Sequence, residues 1–156
     1  MIVIGKPVIR AWAQYQPSTN LSVTTGSTAP ASGIFNLSVD RESKLDGLFD
    51  KPSATEIRAL VAMNTRISFG TAVTSNVNNS GFGIYILRNG ARIPYSVSGG
   101  RARNRTVEPY DANSSFRLVL AANDTISLEM VNLETLNTCV GVAARTVVLV
   151  EALELL

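Results

Sequence analysis

The sequence predicts an all-β fold in a single domain, an antiparallel sandwich or barrel, and three observations predict it. Short runs alternate apolar and polar residues with a period of two, polar turns separate them, and nowhere do strands alternate with helical patterns as a parallel sheet requires. With 156 residues the chain can bury one continuous core between two sheets, and a second domain is not expected.

The elements follow in order. Residues 8–15 alternate, with Ile9, Ala11, Ala13 and Tyr15 on one face of a first strand. Residues 16–33 are rich in Ser, Thr, Gly, Pro and Asn around Leu21 and Val23, which predicts a long surface loop holding at most one short strand. Ile34 to Val39 alternates again. The charge-dense segment Asp40 to Lys51 predicts a solvated loop of mixed-sign pairs. Residues 53–63 fit two patterns: Ser53 and Glu56 match a helix-capping box, yet the β surroundings favour a short strand or irregular turn.

Gly83 to Tyr95 carries the strongest local signal, because Asn89-Gly90 tolerates the two positive φ angles of a type I′ turn. That turn places Arg88 opposite Ala91, Ile86 opposite Ile93 and Ile84 opposite Tyr95. A second hairpin is expected where Phe116, Leu118 and Leu120 alternate, residues 121–124 turn the chain, and Ile126, Leu128 and Met130 alternate again. The chain closes with Val140 to Ala144 and the β-branched run Thr146 to Val150. This run is apolar on both faces, so it predicts a strand central in its sheet or covered by a partner subunit.

Composition excludes several functions. Charged residues are 17% of the chain, below the roughly 25% usual in soluble domains, and small neutral side chains carry the polarity, which suits close packing against neighbours. A net charge of +2 is too small to draw in nucleic acid or an anionic membrane by its field. The N-terminal residues lack the pattern of a secretory signal, and no apolar run approaches the roughly 18 residues that cross a bilayer. Neither a nucleic acid nor a membrane is an expected partner.

Catalysis is not expected either. With no histidine, the chain lacks the base of the usual triads and a common zinc ligand, and Cys139, the single cysteine, reads as a buried small hydrophobe. Asp40, Glu42, Asp46 and Asp50 could serve as a glycosidase pair or a calcium loop, but Arg41, Lys44 and Lys51 are interleaved with them and the calcium-loop spacing is missing. Charge pairing accounts for them better. No catalytic residue, metal site or cofactor is therefore assigned. Gly99-Gly100-Arg101-Ala102-Arg103-Asn104-Arg105 reads as a glycine-led loop at a hairpin tip, whose Arg101, Arg103 and Arg105 could hold a partner's carboxylates.

Taken together, Pro7 to Trp12, Thr65 to Phe69, Tyr85 to Gly90, Leu118 to Leu128 and the terminal Val147 to Leu149 run resemble the tumour necrosis factor-like and complement globular-head jelly rolls. Phage head-decoration and head-fibre proteins share this fold. Asn123 stands where the family's strand-turn-strand usually has Gly. The resemblance implies a single antiparallel jelly-roll β-sandwich over residues 1–156 and a homotrimer about one sheet face, with Val147, Leu149 and Val150 as its interface. Without a secretion signal or stalk, the expected role is capsid decoration: a cement protein made in the host cytoplasm, carried on the virion, and clamping the major capsid protein lattice. Residues 1–33, ordering on docking, and the arginine segment would make the contacts. The alternative is a receptor- or carbohydrate-binding module such as a fibre tip, against which the scarcity of aromatic residues weighs.

Overall fold

A computed structural model describes residues 10–104 and 108–156, among which thirteen strands form two facing layers. The first layer is built on β13 (Thr138–Leu155), which lies between β7 (Met63–Ser75) on one side and β1 (Trp12–Gln16) and β2 (Leu21–Thr24) on the other. Beyond β1 lies β4 (Val39–Asp40), and beyond β7 lies β11 (Tyr110–Leu120). The second layer centres on β12 (Thr125–Asn132), flanked on one side by β8 (Ser80–Arg88) and on the other by β3 (Ala31–Ile34) and β6 (Ile57–Ala59). Its margins are β5 (Phe49–Asp50), β9 (Ala91–Arg92) and β10 (Ser98–Asn104), and the end of β10 reaches the first layer through Arg103↔Thr74.

Alternation explains this layering. Ala13 and Tyr15 of β1, Ile67 and Phe69 of β7, Ile84 and Ile86 of β8, Leu128 and Met130 of β12, and Val148 and Val150 of β13 all point into one core. Fully burying each large aliphatic side chain contributes about 1.5–3 kcal/mol, and only the period-two register puts them all on the inner faces.

Several expectations hold. Ala11, Ala13 and Tyr15 are buried on one face, although the strand starts at Trp12 and Ile9 lies outside the described residues. Asn89 and Gly90 both have positive φ, at 51° and 78°, and the turn sets Arg88 opposite Ala91. Residues 57–59 are strand: Ser53 does donate to Glu56 (3.0 Å), but pairing with β5 and β12 holds the segment extended. The C-terminal run is central in its sheet, as one strand of 18 residues with a bulge between Val142 and Val147.

Other expectations are corrected. The segment 16–33 contains two strands, β2 and β3, and Val23 is buried; of the residues 1–33 expected to order on docking, residues 1–9 lie outside the described residues. Residues 35–38 form no strand, yet Phe35 and Leu37 enter the core fully, because the ring of Phe35 fills the space over Gly141. The first hairpin ends at Arg92. Pro94, which has no N–H for a ladder, starts a 3-10 turn over Pro94–Ser96, so Ile84 pairs with Ser98 and Tyr95 is left outside.

The expected second hairpin is a crossover. β11 pairs with β7 and β12 with β8, in opposite layers. The turn between them docks on β6 instead, through Asn123 N–H to Ala59 O (2.7 Å) and Ala59 N–H to Asp124 O (2.9 Å). Arg101 and Arg103 lie on the strand β10 and not on a loop, because β10 pairs with β8 across Arg101↔Gly81.

Candidate functional site

The outward face of the first layer presents a continuous ladder of side chains across β1, β13, β7 and β11. Following the ladder from β1 to β11, its rows read Trp12, Glu151, Arg66, Arg117; then Gln14, Leu149, Ser68, Ser115; then Val147, Gly70, Asn113. An antiparallel sheet exposed to water on one side normally carries polar residues there. Here the centre is Val147 and Leu149, both half-buried, beside a floor of small side chains in which the Ser68 and Ser115 hydroxyls bond at 2.8 Å.

The bulge in β13 stands over one end of this face. Thr146 Oγ1 donates to Val142 O (2.8 Å) and bonds Thr71 Oγ1 (2.6 Å), while Gln16 Nε2 donates to Ala143 O (3.0 Å). So anchored, Arg145 reaches Asp111 on β11 with both contacts at 2.9 Å. At the other end Trp12 donates its indole N–H to Glu42 O (3.0 Å), and Trp12, Gln14, Glu42, Leu149 and Glu151 surround a surface hollow.

A second surface lies where β10 and β11 close the side of the sandwich. Tyr95 is 62% exposed and meets Phe116 edge-on at 5.4 Å; Tyr110 is 40% exposed and meets Phe82 edge-on at 5.6 Å. Val97 is exposed between them in sequence. The ring of Tyr110 covers Gly100, where an added Cβ would lie 2.5 Å from it.

The residues expected to bind partners fall on different sides. Val147 and Leu149 face outward from the first layer, but Val150 is fully buried in the core, since alternation turns it inward beside Ile67. Arg101 faces outward, where it donates to Asn79 O (3.0 Å) and Glu134 Oε1 (3.1 Å). Arg103 is exposed with no ion-pair partner among the described residues, and Arg105 lies outside them.

Three of the four carboxylates of the acidic segment make local contacts. Asp40 accepts the Ser43 N–H (2.8 Å), Asp46 pairs with Lys44 (3.4 Å), and Asp50 receives Arg58 at 2.9 and 2.5 Å. The hydrogen bond from Arg58 holds the Asp50 carboxyl below its ordinary pKa. Among the described residues no three His, Cys, Asp or Glu side chains come together as metal ligands. Cys139 is buried, and burial pushes its thiol up to about 11, the opposite of what a nucleophile needs.

No family model matches the chain, and no curated protein does. Solved structures do. Eiger TNF from S. frugiperda superposes with a TM-score of 0.62 at 9% identity, covering 97% of this chain and 96% of that one. The fold is a tumour necrosis factor-like jelly roll. Murine APRIL (TM-score 0.56, 10% identity, 93% and 100% of the two chains) and pika GITRL (0.53, 14%, 94% and 99%) are similar in the same way. Within this jelly roll, the apolar C-terminal run pointed to the strip on which Val147 and Leu149 face outward. The Tyr95–Tyr110 edge was missed, its one available sign being Pro94 interrupting the strand.

Proposed function

We propose that the chain is a non-enzymatic assembly module that works as a homotrimer and decorates a repeating protein lattice, the capsid of a virus. The observation that carries the assembly is the presence of two unlike surfaces that each carry apolar side chains: the face with the half-buried Val147 and Leu149, and the edge with the exposed Tyr95 and Tyr110. A surface that mates with itself gives a two-fold dimer, whereas two different surfaces that mate with each other give a ring when the rotation closes. The trimer implied by the jelly-roll resemblance is such a ring. Lattice binding then follows from its symmetry, because three weak attachment sites held together gain effective concentration without strong single contacts. Exposed Arg103 on β10 remains the best-placed cation for a capsid carboxylate.

The exposed Tyr95 and Tyr110 rings favour a second reading, a fibre tip that stacks a sugar or receptor on them. One comparison separates the two. Sedimentation should give a trimer at micromolar concentration, and the trimer should bind and heat-stabilise capsids stripped of it. A trimer that ignores capsids and binds glycans supports the fibre tip, and a stable monomer overturns the assembly reading itself.

A further inference from the structure

We propose that Gly70 is the seat for the Tyr95 ring of a second copy of the chain, an inference that rests on the assembly reading above.

Gly70 sits in the middle of β7, paired with Val147 on one side and Asn113 on the other, on the outward face of the first layer. Glycine inside a strand costs about 0.5–1 kcal/mol relative to alanine, so its presence calls for a reason. The backbone supplies none, because its φ is not in the left-handed region, in contrast to Gly47 and Gly90. Neighbouring atoms supply none either: a Cβ added to Gly70 would meet nothing within 4 Å. Other strand glycines have an internal cause, such as Phe35 at 2.4 Å over Gly141 and the Phe82 carbonyl at 2.3 Å from Gly99. Gly70 is bare toward the outside alone, which is what close approach by another molecule requires.

The surroundings describe the visitor. Val147 and Leu149 make an apolar flank, Asn113 and the Ser68–Ser115 pair offer polar groups, and the Arg145–Asp111 bridge closes one end. This suits a flat ring with a hydroxyl at its tip. Tyr95 is the most exposed aromatic side chain among the described residues, and Phe116 braces it edge-on. Within one chain the two cannot meet: Phe116 pairs with Ile67 on the inward row, whereas Gly70 faces outward. The ring must therefore come from a neighbour.

Charge agrees with a second copy as the occupant. Arg66 and Arg117 lie directly opposite each other on the outward face, and Arg66 is already paired with Glu151 on its other side (3.8 Å), so the unmet positive charge there is that of Arg117. Arg117 has no ion-pair partner among the described residues. Glu108, two residues from Tyr110 on the edge, has none either, so the edge holds an unpaired anion and the face an unpaired cation.

The test uses sedimentation velocity together with thermal melting on the parent, Gly70→Leu and Tyr95→Ser. Each substitution should weaken assembly at least tenfold while leaving a folded monomer with a cooperative melt, and the double variant should be no weaker than the worse single one, since both remove one contact. A chain carrying Gly70→Cys and Tyr95→Cys should form disulfide-linked oligomers on mild oxidation, and neither single cysteine variant should do so. A parent that sediments as a monomer overturns the assembly reading and the seat with it. A parent trimer that persists in Gly70→Leu overturns the seat and leaves the trimer standing. Assembly lost in Gly70→Leu but kept in Tyr95→Ser, with no crosslink, overturns Tyr95 as the occupant.

Discussion

Arg88 and Asp124 fasten the two turns at one end of the sandwich, with Nε and Nη2 of the arginine donating to one carboxylate oxygen at 2.9 and 2.5 Å. Asn89 Nδ2 donates to the other oxygen (2.6 Å), and the Ala121 N–H completes the set (2.8 Å). The Asn89-Gly90 turn and the crossover from β11 to β12 are thereby one structure. Asp124→Asn keeps the size of the side chain but loses its charge-assisted bonds. It should cost about 2 kcal/mol, read as a lower urea midpoint with an unchanged slope.

Acid should weaken the fold through the same carboxylate and through Glu129. Burial pushes Asp124 upward, but bonds from Asn89, Ala121 and Arg88 outweigh it and leave the pKa lowered. At Glu129, the bond from Arg92 outweighs burial, with the Ser32 hydroxyl assisting. Folded values below the unfolded ones mean that the unfolded chain binds more protons as pH falls. The contribution is complete above the unfolded carboxyl pKa of about 4 and disappears as pH drops through the folded values. The urea midpoint should therefore fall between pH 7 and pH 3, and fall less in Asp124→Asn.

Leu149→Asp and Val150→Asp should part company although they are neighbours. The first places a carboxylate on the outward face and should give a folded monomer. The second leaves an unpaired charge in the core beside Ile67 and should prevent folding, since such burial costs several kcal/mol. Circular dichroism and sedimentation on the pair check both statements.

Cys139 should be silent in the native protein. Its thiol is buried and pushed up to about 11, so at pH 8 almost none is thiolate. A thiol reagent should label it only as fast as the chain opens, and labelling should become immediate in denaturing urea.

How much the sequence disclosed depended on whether a feature is local. Asn89-Gly90 dictates its own turn, and the alternation through Val148 and Val150 dictates a core face, so both were legible. Which strand lies beside which was not. Phe116–Leu120 and Ile126–Met130 carry the same pattern whether they pair with each other or cross between layers; Asn123 and Asp124 decide the matter by bonding to Ala59, far away in sequence. Phe35 and Leu37 looked like strand because alternation records burial, and burial here comes without a ladder. The seat at Gly70 was invisible, since an unremarked glycine acquires meaning only when its surroundings prove empty.

The position of β13 also dictates the order in which the molecule can form. Trp12 pairs with Glu151, and β7 needs β13 along nearly its whole length, so the first layer cannot close until residues 138–155 have been synthesised. The second layer, with β8 and β12 paired through residue 132, is complete earlier and must wait with its apolar face uncovered. Ladders of such long sequence separation form slowly, and open strand edges invite pairing with other chains meanwhile. A nascent chain of this design is therefore exposed to aggregation until β13 arrives, and overproduction at high temperature should yield insoluble protein.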